Sequence, residues 1–157
     1  MNYAGLSFGL EEVAGEIAEV SQYIWESGWS AANGGNLSVD VTGLAHLEDF
    51  DVFGFPPLPL MVAAPALAGR CLFVTVSGSR FRDVPKCPEQ TLMLLHISDS
   101  GEGYRVLWGG TGGGNPTMEF TPHLKVHAYL RTVGLRQKVV LHTHPVHIIA
   151  ATHLPEY

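Results

Sequence analysis

The segment TLMLLHISDSGEGYRVLW, residues 91–108, decides the fold class that the sequence predicts. Two stretches rich in apolar residues, 91–97 and 104–108, flank a short run of serine, glycine and acidic residues. This pattern is typical of a β-hairpin, in which a short turn joins two adjacent antiparallel strands. The segment therefore predicts a central sheet that is mainly antiparallel.

The rest of the chain adds helices and further strands to this hairpin. Apolar residues at helical spacing predict helices over residues 10–28 and 117–132, and a shorter one over 145–152. Further strands are predicted at 37–41, 71–76 and 139–144. Segment 42–69 contains four prolines and is predicted to be irregular. We therefore expect an α/β fold with a mainly antiparallel central sheet flanked by helices, as a single domain over residues 1–157.

Composition and charge exclude several classes of protein. Of the 157 residues, 46% are hydrophobic and 15% are charged, so the chain can bury a sizeable core. The net charge of −6 argues against a nucleic-acid-binding surface, and an anionic ligand would need a local site. The two cysteines form no CxxC pair, and no apolar run approaches the roughly 18 residues of a membrane span. We expect a cytoplasmic protein with neither a nucleic-acid nor a membrane partner.

The motif His142-Thr-His144 is the sharpest chemical signal in the sequence. On a strand, residues i and i+2 point to the same side, so both imidazoles would project together. Two such imidazoles can bind one zinc ion at ~2.0–2.1 Å, although the pair could also be ordinary polar histidines. His147 extends the motif, but Val146 stands where the metallo-β-lactamase pattern requires aspartate, so that family is rejected.

Glu119 lies at the predicted start of a helix, after a glycine-rich segment and Pro116. Thr117 is the predicted capping residue of that helix. The carboxylate of Glu119 could simply interact with the positive end of the helix dipole, which is common. It could also act as a general acid/base beside the metal. The residue by itself does not decide between these interpretations.

Two glycine-containing turns are candidate anion-binding sites. Segment 33–36, Asn-Gly-Gly-Asn, lets backbone N–H groups approach an anion closely, and its asparagine amides can donate to phosphate oxygens. Segment 77–79, Ser-Gly-Ser, ends a predicted strand and offers a comparable site. Arg80 and Arg82 follow it and would ordinarily be solvated surface charges. Each turn alone is also compatible with a plain structural turn.

Taken in chain order, four motifs resemble those of the class II aldolase/adducin family. They are Asn-Gly-Gly-Asn at 33–36, Ser-Gly-Ser-Arg-Phe-Arg at 77–82, Pro-Thr-Met-Glu-Phe at 116–120 and His-Thr-His-Pro at 142–145. The resemblance covers nearly the whole chain and implies the family's three-layer fold. The second and third motifs are most similar to those of members that act on L-rhamnulose 1-phosphate. This implies a zinc-dependent aldolase that reversibly cleaves that sugar phosphate to dihydroxyacetone phosphate and L-lactaldehyde.

The resemblance also implies a role for each motif position. His142 and His144 correspond to two zinc ligands, and Glu119 corresponds to the catalytic acid/base. The substrate phosphate and oxygens are held by residues of the two turns, namely Asn33, Gly35, Asn36, Ser77 and Gly78. A homotetramer with sites near the subunit interfaces is implied as well.

Two departures from the family pattern affect these expectations. Met118 stands where the family usually has a serine that is associated with phosphate binding. The family's third zinc-binding histidine lies further along than residue 157. We therefore expect this chain to be the N-terminal part of a longer fold, incomplete at its C-terminus.

Two alternatives to this aldolase remain open. Related enzymes of the superfamily act on other sugar phosphates as aldolases, epimerases or dehydratases with the same metal and loops. Adducin-like domains keep the fold without the chemistry. The presence of Glu119 with both histidines argues for an enzyme, whereas the missing third ligand argues for a non-catalytic domain.

Overall fold

The computed structural model describes residues 3–51 and 57–155, so residues 52–56 of the predicted irregular segment lie outside the described residues. The helices are α1 (Phe8–Glu26), α2 (Pro88–Thr91), α3 (Phe120–Thr132) and α4 (Val146–Ala151). The strands are β1 (Asn36–Asp40), β2 (Leu58–Pro59), β3 (Cys71–Thr75), β4 (Leu92–Ile97), β5 (Gly103–Gly109) and β6 (Val139–His142). Within the described ranges, no helix combines the length and apolar character that a membrane span requires.

One antiparallel sheet forms the centre of the molecule, as predicted. Its six strands lie in the order β2-β5-β4-β3-β1-β6, and each neighbouring pair is antiparallel. The hairpin predicted from segment 91–108 is the pair β4 and β5, in which Ile97 lies opposite Tyr104. A register shift between Leu94 and Leu95 interrupts this pair, which is typical of a β-bulge.

Helices cover both faces of the sheet and complete three layers. On one face, α1 packs with Leu10, Ala14 and Ile17 against alternate strand residues such as Phe73 and Leu94. On the other face, the remaining strand residues form a second cluster with a 3₁₀ turn at Pro65–Leu67 and the start of α3. Strands β3 and β4 are buried on both faces, which explains why their sequences are apolar almost throughout rather than alternating.

Strand β1 differs from its neighbours because one of its sides is apolar and the other is polar. Leu37 and Val39 belong to the cluster under α1. Asn36, Ser38 and Asp40 alternate with them and are nevertheless buried. Buried polar side chains require hydrogen-bond partners, and α3 supplies them for Asn36 and Ser38.

Two predicted boundaries at the candidate site were wrong. The strand that carries the histidine motif ends at His142 rather than residue 144, and its apolar residues are partly exposed because β6 lies at the edge of the sheet. Helix α3 begins at Phe120 rather than Thr117. Residues before it are held extended by the sheet, since Pro116 bridges to Val76 and the Thr117 N–H donates to the Thr75 carbonyl at 2.9 Å.

Candidate active site

A cavity of about 130 Å³ opens where β1, β6 and the start of α3 meet the turn that follows β3. All the residues that the sequence nominated for substrate, catalysis or metal border this cavity. They are Asn33, Gly35, Asn36, Ser77, Gly78, Glu119, His142 and His144. Five further residues complete the cavity wall, and the sequence predicted no individual role for them: Gly34, Val76, Ser79, Thr117 and Met118. Arg80 and Arg82 do not border the cavity, in keeping with their interpretation as surface charges.

Glu119, His142 and His144 form a continuous polar contact along the cavity. The Nδ1 atom of His142 lies 2.6 Å from Oε2 of Glu119, and its Nε2 lies 3.0 Å from Nε2 of His144. An ionised carboxylate only accepts hydrogen bonds, so Nδ1 of His142 donates to it. In a neutral imidazole this leaves the Nε2 lone pair of His142 directed at His144.

The Glu119 carboxylate is not used to cap its own helix. Glu119 occupies the N-cap position of α3, but among the described residues no side-chain hydrogen bond caps that helix end. Partial desolvation raises the pKa of Glu119, but hydrogen bonds from Asn36 and His142 and the proximity of His142 and His123 outweigh it. The pKa of this carboxyl is therefore held below its usual value, and the group is ionised at neutral pH.

The glycines of the Asn-Gly-Gly-Asn turn let two chain segments approach each other closely. A Cβ atom at Gly34 would lie 2.9 Å from Nδ1 of His144. A Cβ atom at Gly35, whose φ is +86°, would lie 2.7 Å from the carbonyl oxygen of His142. Because β1 begins at Asn36, this tight turn brings the first residue of β1 beside the last residue of β6, with Asn36 opposite His142.

His144 is held by a different element from His142. It follows the end of β6, and its backbone N–H donates to the carbonyl of Trp29 at 2.7 Å. Trp29 belongs to the segment just after α1, so the two imidazoles meet at a junction of the sheet edge with that segment. The strand geometry predicted for both histidines thus applies to His142 alone, although the predicted proximity of their rings is present.

The turn after β3 also borders the cavity. The Ser77 N–H donates to the Asn115 carbonyl at 2.8 Å, and the Ser79 hydroxyl donates to the Val76 carbonyl at 2.6 Å. The first bond holds the turn against the chain that leads into α3, and the second lies within the turn itself. Gly78, at φ +77°, has no atom within 4 Å of where a Cβ would lie, so this position is open for a ligand to approach.

His123 and His127 lie beside the site, and no role was predicted for them from the sequence. Both are buried, and His123 donates to Asn36 through a contact of 2.6 Å. Two features of the sequence could have indicated these histidines. Their i, i+4 spacing places both on one face of a helix, and β1 has a polar side. No spacing within the sequence shows that a strand more than 80 positions earlier supplies their partners.

The donors at this site fit a divalent metal. Two nitrogens that bind one tetrahedral zinc ion at ~2.0–2.1 Å lie about 3.3 Å apart, close to the separation of the two Nε2 atoms. Glu119 holds the other nitrogen of His142, as carboxylates commonly do for metal-binding histidines. Among the described residues, no group of three or more His, Cys, Asp or Glu side chains is arranged to hold a metal ion. The two histidines would therefore form part of a ligand set and not the whole of it.

The chain matches a known protein family over most of its length. The family model for the class II aldolase and adducin N-terminal domain matches residues 15–156. The chain belongs to this family. Glu119, His142 and His144 all lie within the matched range.

Several proteins that are similar to this chain are named as aldolases of sugar phosphates. The chain is 36% identical to a rhamnulose-1-phosphate aldolase of Listeria welshimeri over 139 residues, which are 87% of this chain and 50% of the relative. It is 36% identical to a rhamnulose-1-phosphate aldolase of Pectobacterium atrosepticum over 151 residues, 92% of this chain and 53% of the relative. The chain thus spans about half the length of these curated relatives. A sugar-phosphate aldolase from Thermotoga maritima superposes with a TM-score of 0.74 at 30% identity, covering 94% of this chain and 60% of the other.

Proposed function

We propose that this chain carries part of the active site of a zinc-dependent aldolase that reversibly cleaves L-rhamnulose 1-phosphate to dihydroxyacetone phosphate and L-lactaldehyde. The observation that carries this proposal is the contact of Glu119 with His142, whose other nitrogen is directed at His144. The likeness to rhamnulose-1-phosphate aldolases supports the choice of sugar. By the same likeness we propose a cytoplasmic homo-oligomer.

His142 and His144 are the residues that would hold the metal through their Nε2 atoms. A bound divalent ion supplies Lewis-acid polarisation of the substrate's ketone oxygen. Glu119 has a separate task, because its carboxylate keeps His142 in the tautomer whose Nε2 lone pair is free. The same carboxylate borders the cavity, so it can also reach a bound substrate.

Cleavage of a ketose 1-phosphate requires proton transfer at two atoms. The hydroxyl proton at C4 is removed, the bond between C3 and C4 breaks, and a proton is added at C3 of the three-carbon fragment. Glu119 is the carboxylate that we propose moves a proton in this sequence. It is ionised and can accept a proton, but its lowered pKa makes it a weak base in the free protein. Substrate that fills the cavity and excludes water would raise that pKa toward the value that proton transfer requires.

The two turns on the cavity wall are proposed to orient the substrate. Asn33, Ser77 and Gly78 lie on the cavity surface, where amide, hydroxyl and backbone N–H groups can donate to phosphate oxygens. Gly35 and Asn36 would contribute to the same loop. Binding of the phosphate at a distance from the C3–C4 bond would hold that bond in a fixed orientation, which contributes through proximity.

The test is a cleavage assay that follows release of dihydroxyacetone phosphate from L-rhamnulose 1-phosphate by the zinc-loaded protein. The Glu119→Gln variant should keep its zinc and its fold but lose turnover by roughly 10²–10⁴-fold, because a general acid/base is removed. Glu102→Gln is the matched control, since the exposed side chain of Glu102 lies outside the cavity. The control should retain wild-type turnover.

Two results would contradict the proposal. If Glu119→Gln kept near wild-type kcat, Glu119 would not move the proton. If the zinc-loaded protein cleaved no ketose 1-phosphate, the non-catalytic, adducin-like alternative would be favoured. Cleavage or isomerisation of a different sugar phosphate would keep the site and change the substrate.

A further inference from the structure

A series of hydrogen bonds leads from the candidate site into the protein interior between β1 and α3. Asn36 Oδ1 lies 2.6 Å from Nε2 of His123, whose Nδ1 lies 2.7 Å from the Ser38 hydroxyl. The same hydroxyl lies 2.8 Å from Nε2 of His127. All four side chains are buried, with Ser38 fully inaccessible. We call these four residues the β1–α3 relay.

The direction of each hydrogen bond in the relay follows from its end at Asn36. Oδ1 of the Asn36 amide faces His123, and an amide oxygen only accepts hydrogen bonds. Nε2 of His123 must then carry a proton and donate to that oxygen. In the neutral ring, Nδ1 accepts from the Ser38 hydroxyl, and the Ser38 oxygen accepts from Nε2 of His127.

Burial keeps the relay histidines in the neutral form that this arrangement needs. Desolvation, reinforced by the proximity of His127, lowers the pKa of His123 to about 4. Desolvation also lowers the pKa of His127. At neutral pH each ring therefore has one N–H donor and one acceptor nitrogen.

The polar composition of this interface is unexpected for a purely structural contact. Elsewhere the same side of the sheet is apolar, as at Leu72, Val74 and Met93, and packs against the same helix layer. Burial of polar groups is generally no more stabilising than well-packed apolar side chains, even when every hydrogen bond is made. The relay ends at Asn36, which borders the cavity together with Glu119, and this gives the relay a use beyond packing.

We infer that Ser38, His123 and His127 are positioning residues that fix the orientation of the Asn36 amide at the cavity that it shares with Glu119. This inference rests on the proposed function, because it assigns the relay to the cavity of the proton-moving group. Without the N–H of His123, the Asn36 amide is free to turn. Ser38, His123 and His127 do not border the cavity and thus act only through Asn36.

The first test determines which ring nitrogen of each relay histidine carries the proton, and it needs no activity measurement. Long-range ¹⁵N NMR of the histidine rings in the purified protein should show His123 and His127 as the Nε2–H tautomer at pH 7. In Ser38→Ala the signals of both rings should shift, whereas Ser38→Thr, which keeps the hydroxyl, should restore them. A wild-type His123 ring protonated at Nδ1 would overturn the inference, whether or not the protein proves to be an aldolase.

The second test separates positioning from simple stabilisation. His123→Phe removes the donor at similar size and should lower kcat by roughly 10–100-fold, with KM for the sugar phosphate changed much less. His123→Gln, which retains an N–H donor, should recover part of that kcat. Ser98→Ala is the matched control, because Ser98 is also a buried hydrogen-bonded serine but lies at the β4–β5 turn.

The outcomes of the second test distinguish a positioning role from a purely structural role. Ser98→Ala should lower the midpoint of urea unfolding without a change in kcat, whereas the relay variants should lower kcat even where their midpoints match that of Ser98→Ala. Unchanged kcat in a folded His123→Phe variant would overturn the inference. If His123→Phe does not fold, Ser38→Ala against Ser38→Thr gives the same comparison. Absence of wild-type cleavage would instead count against the proposed function, and the tautomer measurement would still decide the relay.

Discussion

At the scale of single residues, Gly35 shows how one position joins the fold to the site. Its φ of +86° is one that L side chains rarely adopt, and a Cβ there would lie 2.8 Å from Cε2 of Phe81 and 2.7 Å from the carbonyl oxygen of His142. A side chain at this position would force β1 and β6 apart. The geometry of His142 therefore depends on a glycine that has no chemistry of its own.

We predict that Gly35→Ala lowers the free energy of unfolding by about 2–4 kcal/mol, since backbone strain and overpacking both act there. Gly134→Ala is the control for strain alone, because Gly134 has φ +73° and no atom near the added Cβ; its cost should be about 1 kcal/mol. Urea unfolding of both variants measures the difference. Equal losses would show that the close approach at Gly35 is easily relieved.

At the scale of elements, the contact between β1 and α3 makes stability depend on pH. The pKa of His123 is about 4 in the folded protein and near 6.5 when exposed, so between these values the unfolded chain binds the extra proton. A group whose pKa is depressed on folding contributes stability above its unfolded pKa and loses it as pH falls toward its folded pKa. The pKa of His127 is lowered too, so it acts in the same direction.

We therefore predict that the metal-free protein loses about 2 kcal/mol of stability between pH 7 and pH 5 through His123. Urea unfolding at several pH values measures this slope. The slope should be shallower in His123→Phe and unchanged in His153→Ala, because His153 is exposed. An equally steep slope in His123→Phe would assign the pH dependence to other groups.

Elements also show why some of this structure could be predicted and some could not. Strand β1 and the hairpin of β4 and β5 follow from local patterns, and both are present, with β1 one residue earlier than predicted. The sequence of Pro116 and Thr117 is typical of a helix start, but bonds to β3 hold these residues extended, so α3 begins later. The exposure of β6 depends on its place at the sheet edge, which no local pattern encodes.

The candidate site was predictable for a related reason. Glu119, His142 and the two turns belong to short motifs whose chemistry is visible in neighbouring residues, and the structure brings them to one cavity. The relay was not predicted because its partners come from different elements. Ser38 and His127 are 89 positions apart in the chain, and only the packing of α3 on β1 makes them neighbours.

At the scale of the whole molecule, a chain that spans about half of its relatives' length nevertheless gathers its family motifs around one cavity. The six-stranded sheet supplies β1 and β6, and the layer that contains α3 supplies Glu119. Two histidines leave zinc short of its usual three or four protein ligands. Water or further protein ligands must then complete the shell, and binding should be weaker than at a site with three histidines.

The measurement that tests the central claim most directly is the zinc content of the purified protein after loading and dialysis, with calorimetric titration for its affinity. We predict one zinc per chain, lost when His142→Ala and His144→Ala are combined. The matched control combines His147→Ala and His153→Ala, two exposed histidines in and after α4, and should keep the metal. Full retention of zinc in the His142→Ala and His144→Ala variant would contradict the account, because these two side chains could then not be its ligands.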